Sequence, residues 1–406
     1  MQESNEKAMN VLVIPSWYPS KSHFLPGIFI KEQLEALAGI AEDCRVYVSL
    51  PPAYEGQVTP LRPFSVFRAL SWYAQSEKNV TMEELNRVYE VAHPSMSWSS
   101  RFGGMRWLTG YHRRNLEFVL RQAGKVDVLH AHVSFPCGYV ASVLSEKYRI
   151  PYVLTEHMGP FPFPHYMSGG KPRKEISQAF NHAAEAIAVS PSLAARITSY
   201  GYRRPVVIPN VIDERRFAIR KERPAGRFVF FTLAGISYEK GIDTLLAAIA
   251  AWDPPAEAVA FHIGGGGKKL SFYKTMAGKL GIADRISWLG PIPRQEAPRR
   301  FQEADVFVLP SRHESFGVVY AEAIASGLPV IATRCGGPEY IVNEMNGKLV
   351  DTGDAQGLAN AMREVYGDHQ SFSPDRIRED FMRRFSRQAV IPQLTEVYRR
   401  VINEQA

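Results

Sequence analysis

Short apolar runs rich in β-branched residues alternate with amphipathic segments along nearly the whole chain, and few folds accept that rhythm. Val11–Ile14, Val46–Ser49, Val126–His130, Tyr152–Thr155, Ile187–Ser190 and Val206–Ile208 read as buried parallel strands. Between them Gly27–Ala38, Tyr111–Ala123, Gly138–Lys147, Lys174–Ala184 and Ser192–Tyr200 read as helices, the last opened by Ser190-Pro191, a cap followed by proline. After Pro209-Asn210 the pattern restarts, with strands at Phe228–Leu233, Val259–Ile263, Ile286–Leu289, Val306–Leu309, Val330–Ala332 and Lys348–Val350. The expectation is α/β throughout: two Rossmann-like, doubly wound parallel-sheet domains, 1–210 and 211–385. Asp213 to Arg227, charged and proline-bearing, reads as their connection. A last amphipathic helix within 386–406, about Arg387 to Asn403, has no strand after it and is free to pack on either unit, the first domain included.

At 406 residues, 45% hydrophobic and 22% charged, the chain has the material for about two domains of ~150–200 residues and is no disordered tail. The opening residues read as neither signal peptide nor spanning helix, and three scattered cysteines form neither a zinc knuckle nor a disulfide framework, so a cytoplasmic location is expected. The formal charge of +7 suits an anionic ligand or membrane surface, while no basic run with stacking aromatics marks a nucleic-acid module. One stretch, Pro51 to Gly110, breaks the rhythm and reads as an elaboration of the first domain. From Arg101 to Lys125, Arg101, Arg106, Arg113, Arg114, Arg121 and Lys125 face a single acid, Glu117. Beside the neighbouring aromatics this is either a solvated helix face or a surface for anionic lipid at the inner face of the plasma membrane.

The chemistry concentrates in Ser311 to Gly327. The segment leaves the strand Val306–Leu309 as a loop and runs into a helix stopped at Gly327-Leu328-Pro329. Ligands of open α/β sheets bind at this edge, and the amides near Ser315, Phe316 and Gly317 should be unpaired donors suited to a phosphate. Glu314 and Glu322, roughly 8 Å apart along a helix axis at ~1.5 Å per residue, are too far apart to share one proton or metal easily. Each could accept from a hydroxyl on either side of a diphosphate. Taken singly, Glu314 is also an ordinary helix-capping carboxylate and Glu322 an ordinary surface helix residue.

A glutamate, seven residues and a second glutamate within Pro310-Ser311-Arg312-His313-Glu314-Ser315-Phe316-Gly317 to Glu322 resembles the retaining glycosyltransferases of family 4, or group 1, which have the GT-B fold. The resemblance implies two domains facing across a cleft, with a nucleotide sugar on the second and an acceptor on the first. It implies that Glu314 meets hydroxyls of the transferred sugar, Glu322 the ribose, and Ser315, Phe316 and Gly317 the donor sugar and diphosphate. Leu233 to Gly241 resembles the family's diphosphate loop, with Lys240 at the lysine but Gly235 where the family has an arginine. A lysine there offsets charge developing on the leaving group. Gly264, in a glycine run after a strand, and Gly290 and Ile292, after another, match the nucleotide pocket.

In the first domain, Pro15-Ser16-Trp17-Tyr18-Pro19 and Pro26-Gly27-Ile28-Phe29 resemble the loop after the family's first strand, placing Gly27 at a helix start facing the diphosphate. His157 in Thr155-Glu156-His157 matches the family histidine near the reacting sugar, and His130-Ala131-His132 follows another strand. The resemblance implies transfer from a nucleotide-sugar donor to an acceptor, with retention and with neither cofactor nor metal. The Trp17-Tyr18-Pro19 opening with the basic-aromatic stretch points to a glycan or lipid-linked acceptor in bacterial surface polysaccharide or glycolipid synthesis. A GT-B epimerase or phosphorylase keeps the fold and changes the reaction. A non-catalytic donor-binding partner of another glycosyltransferase is favoured only by Gly235.

Overall fold

The computed structural model describes residues 8–20, 26–53, 57–58, 64–98, 104–222 and 226–404. The chain divides into two compact units: Met1–Val189 with Ala194–Val211 and Val390–Ala406, and Ser190–Leu193 with Ile212–Ala389.

The first unit is built on eight strands: β1 (Met9–Pro15), β2 (Cys44–Ser49), β3 (Thr81–Leu85), β4 (Val88–Ala92), β5 (Val128–His132), β6 (Tyr152–Glu156), β7 (Glu185–Ala188) and β8 (Val206–Val207). Their order is β8-β7-β6-β5-β1-β2-β4-β3, parallel except for β3 against β4. Val11, Leu12, Val13 and Ile14 are wholly buried, as central strands covered on both faces require. The order reverses at β1, so the loops after β1 and β5 open a crevice at the carboxyl edge. Residues 126–127 lie before β5 and both His130 and His132 lie within it, which corrects the expected strand by two residues. That shift buries both rings in the sheet.

The irregular stretch resolves into a helix, Phe64–Gln75, and the β3–β4 hairpin that extends the sheet. Asn86 and Arg87 turn the hairpin with φ of 53° and 66°. Two successive left-handed residues are the geometry a two-residue hairpin turn demands, here without the glycine that usually advertises it. The helix Gly104–Ala123 starts seven residues before the expected Tyr111. Arg101 lies outside the described residues. The C-terminal helix Arg387–Asn403 belongs to this unit from Val390 onward, holding Glu185 through Arg400 at 2.8 Å and Asp43 through Arg399 at 2.8 Å.

The second unit has six parallel strands: β9 (Phe228–Leu233), β10 (Val259–Gly264), β11 (Ile286–Gly290), β12 (Val306–Leu309), β13 (Val330–Thr333) and β14 (Gly347–Val350). The order is β11-β10-β9-β12-β13-β14, with every pairing parallel. Leu245, Leu246 and Ile249 of the helix Ile242–Trp252 and Leu358 and Met362 of the helix Ala355–Gly367 pack on one side of this sheet, all fully buried. At ~1.5–3 kcal/mol per buried aliphatic side chain, this layer is what fixes the strand ends in place. The switch point lies between β9 and β12.

Candidate active site

The loops after β9 and β12 meet at that switch point. Lys240 Nζ donates to Glu314 Oε1 at 2.7 Å, and Ser311 Oγ donates to the same oxygen at 2.8 Å. The Glu314 backbone is pinned separately: its N–H donates to Cys335 O at 3.3 Å and its carbonyl accepts from Gly337 N at 2.9 Å. The backbone is thereby fixed to the sheet edge, and Lys240 and Ser311 hold the carboxylate. Gly241 closes the other loop: with φ at +64°, a Cβ there would lie 1.9 Å from Pro310 O. Only glycine lets the Lys240 loop lie on the β12 loop this closely.

The helix begins at Val318, so Ser315, Phe316 and Gly317 precede the first turn that the sequence reading gave them. Their donors remain available nonetheless. The N–H groups of Ser315 through Val319 meet no hydrogen-bond acceptor among the described residues. Five successive unpaired donors at a helix N-terminus are a ready anion site. Gly317 holds φ of +93°, where a Cβ would strike the Tyr320 ring at 2.4 Å, and the Tyr320 hydroxyl in turn donates to Leu309 O at 3.0 Å. Phe316 is buried against Phe385, its ring 5.7 Å away, so it anchors the loop by its side chain.

Glu322 is the fifth residue of Val318–Ala325 and fully buried, and its carboxylate is ion-paired with Arg294 from the loop after β11. The sequence reading missed Arg294, because a partner 28 residues away on another loop leaves no local spacing. Ser311 was missed as a ligand of Glu314 for the opposite reason: it lies in the quoted motif but has no acid–base signature. Arg312 sits beside the site yet is committed elsewhere. It makes two 2.9 Å bonds to the Asp243 carboxylate and lies 4.1 Å from the Tyr238 ring centre, so it is not a free cation replacing the absent arginine.

Gly264, Gly290 and Ile292 come together at the ends of β10 and β11. A Cβ on Gly264 would lie 2.3 Å from Ile292 Cδ1, and Gly265 N donates to Gly290 O at 2.7 Å. The glycine run also carries the neighbouring loop, with Ala234 N donating to Gly264 O and Ile236 N to Gly266 O. Gly235 is exposed in that loop, and no heavy atom lies within 4 Å of where its Cβ would be.

The first unit gathers Gly27 and His157. Gly27 has φ of +72° and opens Ile28–Ile40, and a Cβ would strike Trp17 O at 2.3 Å. Phe29, two residues on, lays its ring 4.8 Å from that of His157. The His157 backbone is held by the buried Glu156 carboxylate, which accepts from His157 N at 2.7 Å, Met158 N at 2.8 Å and Ser134 N at 3.0 Å. Burial pushes the Glu156 carboxyl up, against the pull of those bonds. Burial also pushes His157 down to about 3, so at neutral pH it is an uncharged hydrogen-bonding ring.

Two parallel-sheet units with a switch-point site of this composition define the GT-B glycosyltransferases. Residues 213–381 match the family described as Glycosyl transferases group 1, and residues 66–216 match Glycosyltransferase Family 4. The chain belongs to this family and is a glycosyltransferase. It is 29% identical over 383 residues to TuaC of Bacillus subtilis (strain 168), a glycosyltransferase assigned to teichuronic acid biosynthesis, covering 90% of this chain and 91% of TuaC. It is 29% identical over 314 residues to the D-inositol 3-phosphate glycosyltransferase of Corynebacterium urealyticum, covering 70% and 74% of the two chains. Among solved structures, Alr3699/HepE of Anabaena in complex with UDP and glucose superposes with a TM-score of 0.68 at 19% identity, over 96% of this chain and 99% of that one.

Proposed function

We propose that the chain transfers a sugar, with retention, from a nucleotide sugar held by the second unit to a glycan or lipid-linked acceptor served by the first, in bacterial surface polysaccharide or glycolipid synthesis. The observation that carries the reading is the convergence of Lys240, Glu314 and the five unpaired amides of Ser315 to Val319 at the switch point of the second sheet. Relatives support the acceptor class: TuaC is named for teichuronic acid synthesis, and a Rhizobium meliloti relative, LpsE, for lipopolysaccharide core synthesis.

In this reading the amides and Lys240 take the donor diphosphate, and Glu322 takes the ribose in exchange for part of its pairing with Arg294. Glu314 accepts from a hydroxyl of the transferred sugar. Gly264, Gly290 and Ile292 border the base, and Gly27 sits at the phosphate-facing helix start of the first unit. The bond from anomeric carbon to phosphate oxygen breaks while the acceptor oxygen bonds to the same face. The acceptor proton passes to the departing phosphate oxygen, so no protein nucleophile is needed. Lys240 and the amides offset the charge gained by the leaving group, the role a divalent metal would otherwise fill. Neutral His157 hydrogen-bonds a sugar hydroxyl.

A peripheral contact with anionic membrane through 101–125 belongs to the same proposal. No described helix is long and apolar enough to cross a membrane. On Gly104–Ala123, Arg106 and Arg113, and Arg114 and Arg121, repeat at seven residues and are exposed, nearly above one another on one face. Arg113 also lies 3.9 Å from Glu117 and Arg114 donates to Lys78 O at 2.9 Å, while Lys125 is paired with Asp127. The helix Phe64–Gln75 of the same unit exposes Phe64, Phe67 and Leu70.

The test of the transfer reaction is nucleoside diphosphate release from UDP-glucose, UDP-galactose, GDP-mannose and ADP-glucose, with and without bacterial lipid extract, followed by NMR of the product. An α-linked product from an α-linked donor is expected. A β-linked product, or epimerised donor with no transfer, would overturn the proposal.

A further inference from the structure

The first unit contains a stack of three histidines that the proposed reaction uses only at one end. Tyr398 of the C-terminal helix bonds His130 Nδ1 at 2.6 Å, and His130 Nε2 bonds Thr155 Oγ1 at 2.7 Å. The His130 ring lies 4.2 Å from that of His132, and His132 Nδ1 bonds His157 Nε2 at 2.9 Å with the two rings within 18° of parallel. His130 and His132 are fully buried and His157 is 6% exposed. Two ring nitrogens, His132 Nε2 and His157 Nδ1, are buried with no hydrogen-bond partner among the described residues.

Buried polar atoms are seldom left unpaired, because each has given up its water for no protein partner. Two orphans at the two ends of one hydrogen-bonded pair are not explained by packing. With both rings neutral, the bond between them holds one proton, so the rings cannot choose tautomers independently. If His157 donated, His132 would carry its own proton on Nε2, an N–H with no acceptor and no exposure. Orphaned N–H groups are rarer than orphaned acceptors. The opposite arrangement leaves His132 Nε2 a bare lone pair and puts the unpaired N–H on His157 Nδ1, itself buried but carried by a ring whose residue is 6% exposed where His132 is 0%.

We propose that His132 is a positioning residue for His157: His132 Nδ1–H donates to His157 Nε2, which fixes His157 with its proton on Nδ1 as a hydrogen-bond donor toward the substrate. The Tyr398–His130 bond fixes the ring that packs 4.2 Å from that of His132, which ties the C-terminal helix to the setting of this proton. Burial holds all three rings neutral, His130 and His157 down at about 3 and His132 well below its usual range. The inference rests on His157 meeting substrate, as proposed above.

The full chain labelled with ¹⁵N-histidine reports tautomers directly by two-bond ¹H–¹⁵N correlation, with no ligand required. His132 and His157 should both appear as Nδ1–H tautomers, with His157 moving to Nε2–H in His132→Phe. His157 carrying its proton on Nε2 in the wild type, or keeping it on Nδ1 in His132→Phe, would overturn the proposal. Kinetics on whichever of the four nucleotide sugars named above releases diphosphate fastest give the second readout. His132→Phe should lower kcat about 10–100-fold with donor KM within about threefold, and His132→Asn, which keeps a hydrogen-bonding group near Nδ1 and guards against misfolding, should recover most of it. Wild-type kcat in His132→Phe would also overturn it. A His157→Ala variant with wild-type kcat would instead remove the role given to His157 under the proposed function, while the tautomer spectrum still decides the coupling.

Discussion

Replacing Glu314 with alanine separates the structural share of this residue from its share in transfer. Its backbone bonds to Cys335 and Gly337 survive the change, so the loop keeps its anchor. What is lost is an acceptor for Lys240 Nζ at 2.7 Å and for Ser311 Oγ at 2.8 Å. A hydrogen bond to a charged group is worth ~1.5–3 kcal/mol, and Lys240, about a quarter exposed, regains part of that from water. A stability loss of about 1–3 kcal/mol follows, read as a melting point lower by ~2–12 °C at 2–4 °C per kcal/mol. The rate should fall further. Loss of the charged bond to the sugar hydroxyl and a loosened Lys240 together cost about 3–4 kcal/mol, or ~10²–10³ in kcat. Thermal melts and diphosphate release on the same preparation measure both terms. Transfer within threefold of wild type beside the expected drop in melting would refute the reasoning, because the residue would then matter only to the fold.

Three further outcomes follow from the same geometry. His112, His130 and His157 are each held down at about 3 by burial, so the unfolded chain binds their protons first as pH falls below 6.5. Each therefore removes up to ~1.4 kcal/mol of stability per pH unit between 6.5 and its folded value, and urea midpoints flat from pH 7.5 to 5 would contradict this. Gly235→Arg meets no steric or backbone obstacle and adds a cation to the diphosphate loop, so kcat/KM should rise about tenfold with stability within ~0.5 kcal/mol; an unchanged rate would place the leaving group elsewhere. The double substitution Arg113→Glu and Arg114→Glu should abolish sedimentation with vesicles containing phosphatidylglycerol while leaving binding of soluble nucleotide intact, and wild-type sedimentation would exclude this helix as the lipid contact.

What the sequence disclosed and what it hid divide along a physical line. The parallel strands are continuous apolar runs because both their faces are buried, and Ser311 to Gly327 is one strand–loop–helix whose logic is local. Both are written in adjacent residues. Gly241, Gly264 and Gly317 were visible as glycines, but only the close approaches to Pro310, Ile292 and Tyr320 say why glycine is required. Arg294 on Glu322, Tyr398 on His130 and His132 on His157 join residues far apart in the chain through side-chain geometry that no periodicity encodes. The hairpin turning at Asn86-Arg87 lacks the Asn-Gly signal, and the helix Phe64–Gln75 leaves apolar residues exposed, so neither shows the pattern its kind normally leaves. Arg312 shows the reverse hazard: a cation of the right charge in the right loop, already spent on Asp243.

The central claim is that the switch point of the second unit binds a nucleotide diphosphate. Thermal unfolding of the wild type and of Lys240→Met, each with UDP, GDP and ADP and with or without EDTA, addresses it with no knowledge of sugar or acceptor. A ligand at 100 times its dissociation constant stabilises by about 2.7 kcal/mol, well within reach of the assay. One nucleotide should raise the wild-type melting point equally with and without chelator, and the shift should be largely lost in Lys240→Met. No shift from any nucleotide, or an undiminished shift in Lys240→Met, would contradict it.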